Sequence, residues 1–262
     1  MSTSVERVDL AEASRPWKEE HLARYVFAGR QLGEGLVLDV ACGTGEGSAY
    51  LGRAPGRKLL SVDLDLPAVR RTALVLRDAG VDGMGLVASA VRLPFPNACM
   101  DAVVSFETVE HLHDPAAFLA EIRRVLRPGG LLHMSTPNAL ATNPTGGTPD
   151  NPFHVREFTP DELEGLLPPG LEVEFHGGQH LPPGYGPVPF LPSFKPDALT
   201  AWARVRFRVW QLLLRLPWIR DPVFRMLTGM NFYPSADEYT FLSDDLMMAH
   251  VQYIICRRTS GG

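Results

Sequence analysis

Cysteine is scarce in this chain. Among 262 residues there are three thiols, Cys42, Cys99 and Cys256, odd in number and far apart. They form neither a disulfide framework nor a zinc-finger spacing, and they fit a reduced, cytoplasmic setting. No run of about 18 apolar residues is present to span a bilayer. Basic charge is not in excess either: 25 Lys and Arg against 30 Asp and Glu leave a net charge of −5, so no global positive field draws the chain to nucleic acid. The opening Met1-Ser2-Thr3-Ser4-Val5-Glu6 is polar and acidic, which no secretory signal is. Internal repeats and low-complexity runs are missing. No Asp/Glu/His cluster has clean metal-ligand spacing, and His111 and His113 stand too close in an expected turn to form one, so no metal is expected. What remains is a 45% hydrophobic chain, enough for one good core.

The informative stretch is Val37-Leu38-Asp39-Val40-Ala41-Cys42-Gly43-Thr44-Gly45-Glu46-Gly47-Ser48-Ala49-Tyr50-Leu51. A short apolar run, a glycine-rich turn and an Ala/Leu-containing stretch predict a buried parallel strand, a tight loop and a helix start. Gly43 and Gly45 tolerate positive φ and leave no Cβ in a ligand's way, and the helix start offers free N–H groups to a polar or anionic group. The turn is not the dinucleotide fingerprint, because its third glycine, Gly47, comes one residue early. It is not a Walker loop, because no Gly-Lys-Ser/Thr follows. A second strand, Leu59-Leu60-Ser61-Val62-Asp63-Leu64-Asp65, puts an acid 18 residues after Gly45, where a carboxylate can accept both hydroxyls of a ribose.

Those two segments resemble the first two motifs of class I S-adenosylmethionine-dependent methyltransferases of the small-molecule and glycan-tailoring type. The resemblance implies S-adenosyl-L-methionine as cofactor and S-adenosyl-L-homocysteine as product. It implies a Rossmann-like α/β fold with a seven-stranded sheet. It extends downstream. Ser89-Ala90-Val91-Arg92-Leu93-Pro94-Phe95 stands where the family usually reads Asp-Ala-x-x-Leu-Pro-Phe, with Ser89 replacing the acid that binds the adenine amino group; a hydroxyl accepts the same bond without the charge. Phe106-Glu107-Thr108-Val109-Glu110-His111-Leu112 resembles the fourth motif, and Leu131 to Asn138 the fifth strand with its terminal Thr-Pro-Asn. The lead helix, Glu20-His21-x-x-Arg24-Tyr25-x-Phe27-Ala28, resembles that of a bacterial subgroup in which Arg24 or Tyr25 closes over the methionine end of the cofactor. The cofactor-binding residues implied are Arg24, Tyr25, Asp39, Ala41, Gly43, Gly45, Asp63, Leu64, Ser89, Ala90, Val91, Phe106 and Glu107.

The candidate acid–base groups are two histidines. His111 lies at the exit of the fourth strand, where the transferred methyl would point. His154 lies in Asn151-Pro152-Phe153-His154-Val155-Arg156-Glu157-Phe158-Thr159-Pro160-Asp161-Glu162-Leu163, which resembles the His-x-x-x-Phe-Thr/Ser-x-x-Glu-Leu signature of the same subgroup. An imidazole with a pKa near ~6.5 can take a hydroxyl proton as the methyl arrives, and His154 is the first choice as base. Thr159, Pro160 and Glu162 predict a capped helix start.

The whole of 1–262 reads as one domain, with a capping helix over 16–34 and a lid over 181–246 inserted between the last two strands, near 170–178 and 247–258. Within the lid, 201–216 is a helical pattern with Arg204, Arg208 and Arg215 on one face and a wide apolar remainder. Burial, a dimer contact and a membrane surface all fit it, so the chain is expected as a monomer or homodimer. A second short helix is expected over 221–230. Tyr185, Phe190, Phe232, Tyr233 and Tyr239 are expected to wall the acceptor pocket. The acceptor expected is a small molecule methylated on a hydroxyl, a sugar or natural product. The alternatives are a carbon or nitrogen acceptor of lipid or quinone type at the membrane, and a protein that binds the cofactor without catalysis.

Overall fold

A computed structural model describes residues 15–182, 216–229 and 231–260. The strands are β1 Gly35–Val40, β2 Arg57–Asp63, β3 Gly83–Val87, β4 Met100–Phe106, β5 Leu126–Pro137, β6 Leu171–His180, β7 Thr240–Leu242 and β8 Val251–Arg258. The helices are α1 Arg15–Gly29, α2 Glu46–Gly52, α3 Leu66–Asp78, α4 Pro115–Val125, α5 Ala139–Thr142, α6 Pro160–Gly165 and α7 Pro217–Thr228. All eight strands join one sheet in the order β3-β2-β1-β4-β5-β8-β6-β7. β1 to β5 run parallel, and β8 lies antiparallel between β5 and β6. The seven expected strands are present. The eighth, β7, is three residues long and pairs with Gly178–His180 at the edge.

Alternation along the central strands feeds two separate cores, because successive side chains face opposite sides of a sheet. Leu38, Val40 and Val103 face one side with Phe118, Leu119, Ile122 and Val125 of α4. Val37, Ala102 and Val104 face the other, with Tyr25, Ala28 and Leu32 at or just after α1 and Leu51 of α2. Local signals fix the helix starts. Asp65 accepts the Ala68 N–H at 2.8 Å, and Asp114 accepts that of Ala117 at 2.9 Å. Thr159 and Glu162 exchange the two bonds of a capping box, as their spacing predicts.

Two boundaries differ from expectation. The last strand begins at Val251, not near 247, because the Asn138 amide donates to the carbonyls of Leu246 (2.8 Å) and Ala249 (3.1 Å) and holds Leu246–Met248 in a 3-10 turn. The second insertion helix starts at Pro217, not at 221, with the proline in its first turn; proline lacks only an N–H that has no intrahelical partner there. The stretch 201–216 expected as a helix, with its arginines, lies outside the described residues except for Leu216, and so does about half of the expected lid.

Candidate active site

β1 sits between β2 and β4. The chain leaves β1 toward β2 and later crosses back to β4, so a crevice opens at the carboxyl ends of the strands where the order reverses. The loop after β1 turns through left-handed backbone at Ala41 (φ 60°), Gly43 (φ 55°) and Gly45 (φ 85°). A Cβ added at Gly43 would meet nothing within 4 Å, whereas one at Gly45 would lie 2.7 Å from Thr72. Gly43 thus presents bare backbone to an open groove, and Gly45 allows the loop to close on α3. Asp63, ending β2, reaches over: one carboxylate oxygen accepts the Gly43 N–H at 3.0 Å and the other the Asp65 N–H at 2.9 Å. Each oxygen keeps a second lone pair, side by side, as a ribose diol requires. Leu64 projects beside it, 70% exposed. Ser89, Ala90 and Val91 are half-buried, in a turn closed by the Arg92 N–H on the Ser89 carbonyl at 3.0 Å. This cradle fits an adenosyl group.

Three expected cofactor contacts support the cradle from beneath instead of lining it. Asp39, Tyr25 and Phe106 are all buried. Asp39 accepts the Ser48 hydroxyl at 2.5 Å and the Tyr25 hydroxyl at 3.4 Å. Burial outweighs both bonds and pushes its carboxyl up to about 7. Tyr25 meets Phe106 edge-on at 4.8 Å. Arg24, expected to pair with the cofactor's carboxylate, is buried in protein partners: its Nε donates to Gln179 Oε1 at 2.8 Å, another nitrogen meets His21 Nδ1 at 2.9 Å, and Glu20 and Glu107 stand 3.6 and 3.7 Å away. Glu107 leaves β4 at φ 51°, a strained conformation for a side-chain-bearing residue, with its carboxylate accepting the Ser135 hydroxyl at 2.8 Å.

The two histidines, 43 positions apart in sequence, come together. Their ring centroids lie 4.9 Å apart, edge to face. The tether is backbone: the N–H groups of Val155 and Arg156 both donate to the Glu110 carbonyl, at 2.8 and 3.2 Å, pinning the loop before α6 to the 3-10 turn Val109–His111. His111 Nδ1 faces the Phe153 carbonyl at 3.0 Å, which can only accept, so Nδ1 carries the proton and Nε2 the lone pair. His154 Nδ1 lies 2.8 Å from Glu157 Oε1, which fixes the same tautomer, and its Nε2 meets the Asn151 amide at 3.0 Å. Glu157 is itself held by the Thr142 hydroxyl of α5. Beneath the pair lies Glu110, fully buried. One of its oxygens accepts the Thr136 hydroxyl at 2.8 Å. Burial first, and the Glu107 charge next, push its carboxyl well above the ordinary range.

Residues 38–134 match the family model described as a methyltransferase domain. The ubiquinone biosynthesis O-methyltransferase of Caulobacter sp. (strain K31) is 33% identical over 175 residues, which cover 61% of this chain and 69% of that one. The chain belongs to the class I S-adenosylmethionine-dependent methyltransferases. A relative of the same class from Mycobacterium tuberculosis is 39% identical over 151 residues, 58% of this methyltransferase and 53% of the relative. The chain therefore spans about half the length of that relative. In structure, the cyclase SpnF superposes with a TM-score of 0.58 at 18% identity, over 98% of this chain and 86% of that one. That likeness is one of fold alone, since a fold hosts many chemistries.

Of the aromatic residues expected to wall the acceptor pocket, two lie outside the described residues and three are buried. Tyr185 and Phe190 lie outside the described residues. Phe232 and Tyr233 are buried and stack edge to face at 4.8 Å, with Phe224 of α7 at 5.2 Å from Phe232. Tyr239 packs against Ala23 and Val26 of α1. Glu157 and Gln179 carry parts of the site that the sequence did not single out. The His154-x-x-Glu157 spacing was available, but outside a helix it has no fixed geometry.

Proposed function

We propose that the protein transfers a methyl group from S-adenosylmethionine to a hydroxyl of a small-molecule acceptor, a sugar or natural product. The observation that carries this reading is the pair of imidazoles at the strand-exit face, each with its Nδ1 proton fixed by an oxygen acceptor and its Nε2 left as the basic nitrogen. When bound, the cofactor supplies an activated methyl on a sulfonium. The chain has only to align the acceptor, keep water out and take up a proton.

The residues divide that work. Gly43 lets the methionine end pass close to backbone, and Gly45 lets the loop close on α3. Asp63 accepts the ribose hydroxyls, and Ser89-Ala90-Val91 frame the adenine. The Arg24–Glu107–Gln179 network ties α1 to β4 and β6 beside the cradle. His154, oriented by Glu157, receives the acceptor's proton at Nε2 in place of the Asn151 amide it now meets, and His111 lies beside it as the second polar wall. That the Caulobacter relative is named an O-methyltransferase supports oxygen as the atom methylated. His154→Ala should lower turnover by about 10²- to 10⁴-fold and leave calorimetric S-adenosylhomocysteine affinity unchanged. An equal loss of both would show that His154 supports the fold of the site and not the proton transfer.

A further inference from the structure

Glu110 raises a question that a base alone does not answer. Its Oε1 is buried and has no hydrogen-bond partner among the described residues. A buried carboxylate oxygen left without a donor is costly. It faces His111 Nε2 at 3.8 Å, and that nitrogen is also an acceptor, because Nδ1 holds the ring proton against the Phe153 carbonyl. Once the Glu110 proton is displaced, two lone pairs point at one space. A Glu110 oxygen and one ring nitrogen each from His111 and His154 all lie within 4.8 Å of one another. We propose that Glu110, His111 and His154 bind a divalent transition-metal cation.

Three features fit that assignment. The donor set is two imidazoles and one carboxylate, which suits Zn²⁺ or its first-row neighbours better than the all-oxygen shells of Mg²⁺ and Ca²⁺. Both rings already have the outer partner that orients metal-bound histidine: the Phe153 carbonyl for His111 and the Glu157 carboxylate for His154. Three protein ligands leave a coordination position open. With bonds of about 2.1 Å, tetrahedral ligand atoms lie about 3.4 Å apart, so the ligand atoms, now within 4.8 Å of one another, close by up to about 1.4 Å per pair, and the cation replaces the Asn151 amide on His154. Glu107, whose charge reaches Glu110, adds negative potential at the site.

The role of the cation rests on the hydroxyl-acceptor reading above. A hydroxyl in the open position becomes more acidic and loses its proton to water. The oxygen then takes the methyl as the carbon–sulfur bond breaks, giving a methyl ether and the neutral thioether. In that case the imidazoles serve as ligands and not as the base.

The test uses the whole chain after treatment with a chelator. Calorimetry with Zn²⁺ alone should show one saturable site, and Co²⁺ should give visible ligand-field bands. His111→Ala and His154→Ala should each weaken Zn²⁺ by at least about ten-fold while melting temperature and S-adenosylhomocysteine affinity stay near those of the parent. Glu110→Gln should do the same, and should it fail to fold the two histidine variants carry the test. Absence of saturable Zn²⁺ binding, or equal affinity in both histidine variants, overturns the site. Methylation of a hydroxyl undiminished in chelated protein that takes up no Zn²⁺ refutes the cation and leaves the histidine base standing. Tight, histidine-dependent Zn²⁺ uptake by protein that methylates no hydroxyl supports the cation and refutes the acceptor.

Discussion

Gly47 is the glycine that spoils a dinucleotide fingerprint, and Tyr25 explains its place. It lies in the first turn of α2, and a Cβ added there would fall 2.2 to 2.4 Å from three atoms of the Tyr25 ring. The ring has nowhere to go: it is buried, edge-on to Phe106, with its hydroxyl on Asp39. Gly47→Ala must therefore move the ring or lift α1 from α2. Overpacking of this kind costs about 1–3 kcal/mol, and three contacts this short point to the upper end. Opposing it is the helix propensity gained on replacing glycine, at most about 1 kcal/mol. In a Tyr25→Ala background the clash is gone and only the gain remains. Gly47→Ala should then destabilise the parent by about 2 kcal/mol and stabilise the Tyr25→Ala variant by up to about 1 kcal/mol, a coupling of about 3 kcal/mol. For a chain of this size that is a fall in melting temperature of about 4–8 °C in one background and a rise of up to about 4 °C in the other. Circular dichroism melts of the four proteins measure it. If Gly47→Ala melts at or above the parent in both backgrounds, the glycine is not there to admit the tyrosine and the argument is refuted.

Two further outcomes follow from the cradle. Asp63→Ala removes the acceptor for the Gly43 and Asp65 N–H groups and the proposed acceptor for two ribose hydroxyls; at about 1.5–3 kcal/mol per charged hydrogen bond, S-adenosylhomocysteine should bind at least about 100-fold more weakly by calorimetry, and an affinity within threefold of the parent would remove Asp63 from the site. Asp39 holds its proton up to about pH 7 in the folded chain but only to about pH 4 when unfolded, so the folded state binds more protons between those values and loses stability as pH rises through them. Chemical denaturation of Asp39→Asn should show the difference from the parent moving in the variant's favour by up to about 4 kcal/mol from pH 4 to 7; a constant difference would mean that Asp39 is ionised throughout.

The parts of this structure that could be read from the sequence are those whose cause is local. The glycine turn, the acid ending β2, the Thr159-Pro160-x-Glu162 helix start and the alternation of strand and helix each depend on residues within a few positions of one another. The motifs also named the residues that cluster at the crevice. They did not say which side of the loop each would occupy: Asp39 and Tyr25 carry the signature of a binding site and are spent on supporting it, because a buried acid under the turn needs hydroxyl donors and α1 brings one. The meeting of His111 with His154 had no sequence signal, since it is made by two backbone N–H groups on the Glu110 carbonyl, and backbone bonds of that range leave no pattern of side chains. The late start of β8 is of the same kind, set by the amide of Asn138 more than a hundred positions away.

The strained exit of β4 joins the two halves of the crevice. Glu107 pairs with Arg24 of α1 on one side and on the other raises the carboxyl of Glu110. Glu110 is buried but Glu107 is partly exposed, so solvent screens their interaction only in part. The positive φ at Glu107, costly by itself, is what sets one carboxylate between both networks, and a relaxed backbone there would leave each half of the site to its own partners.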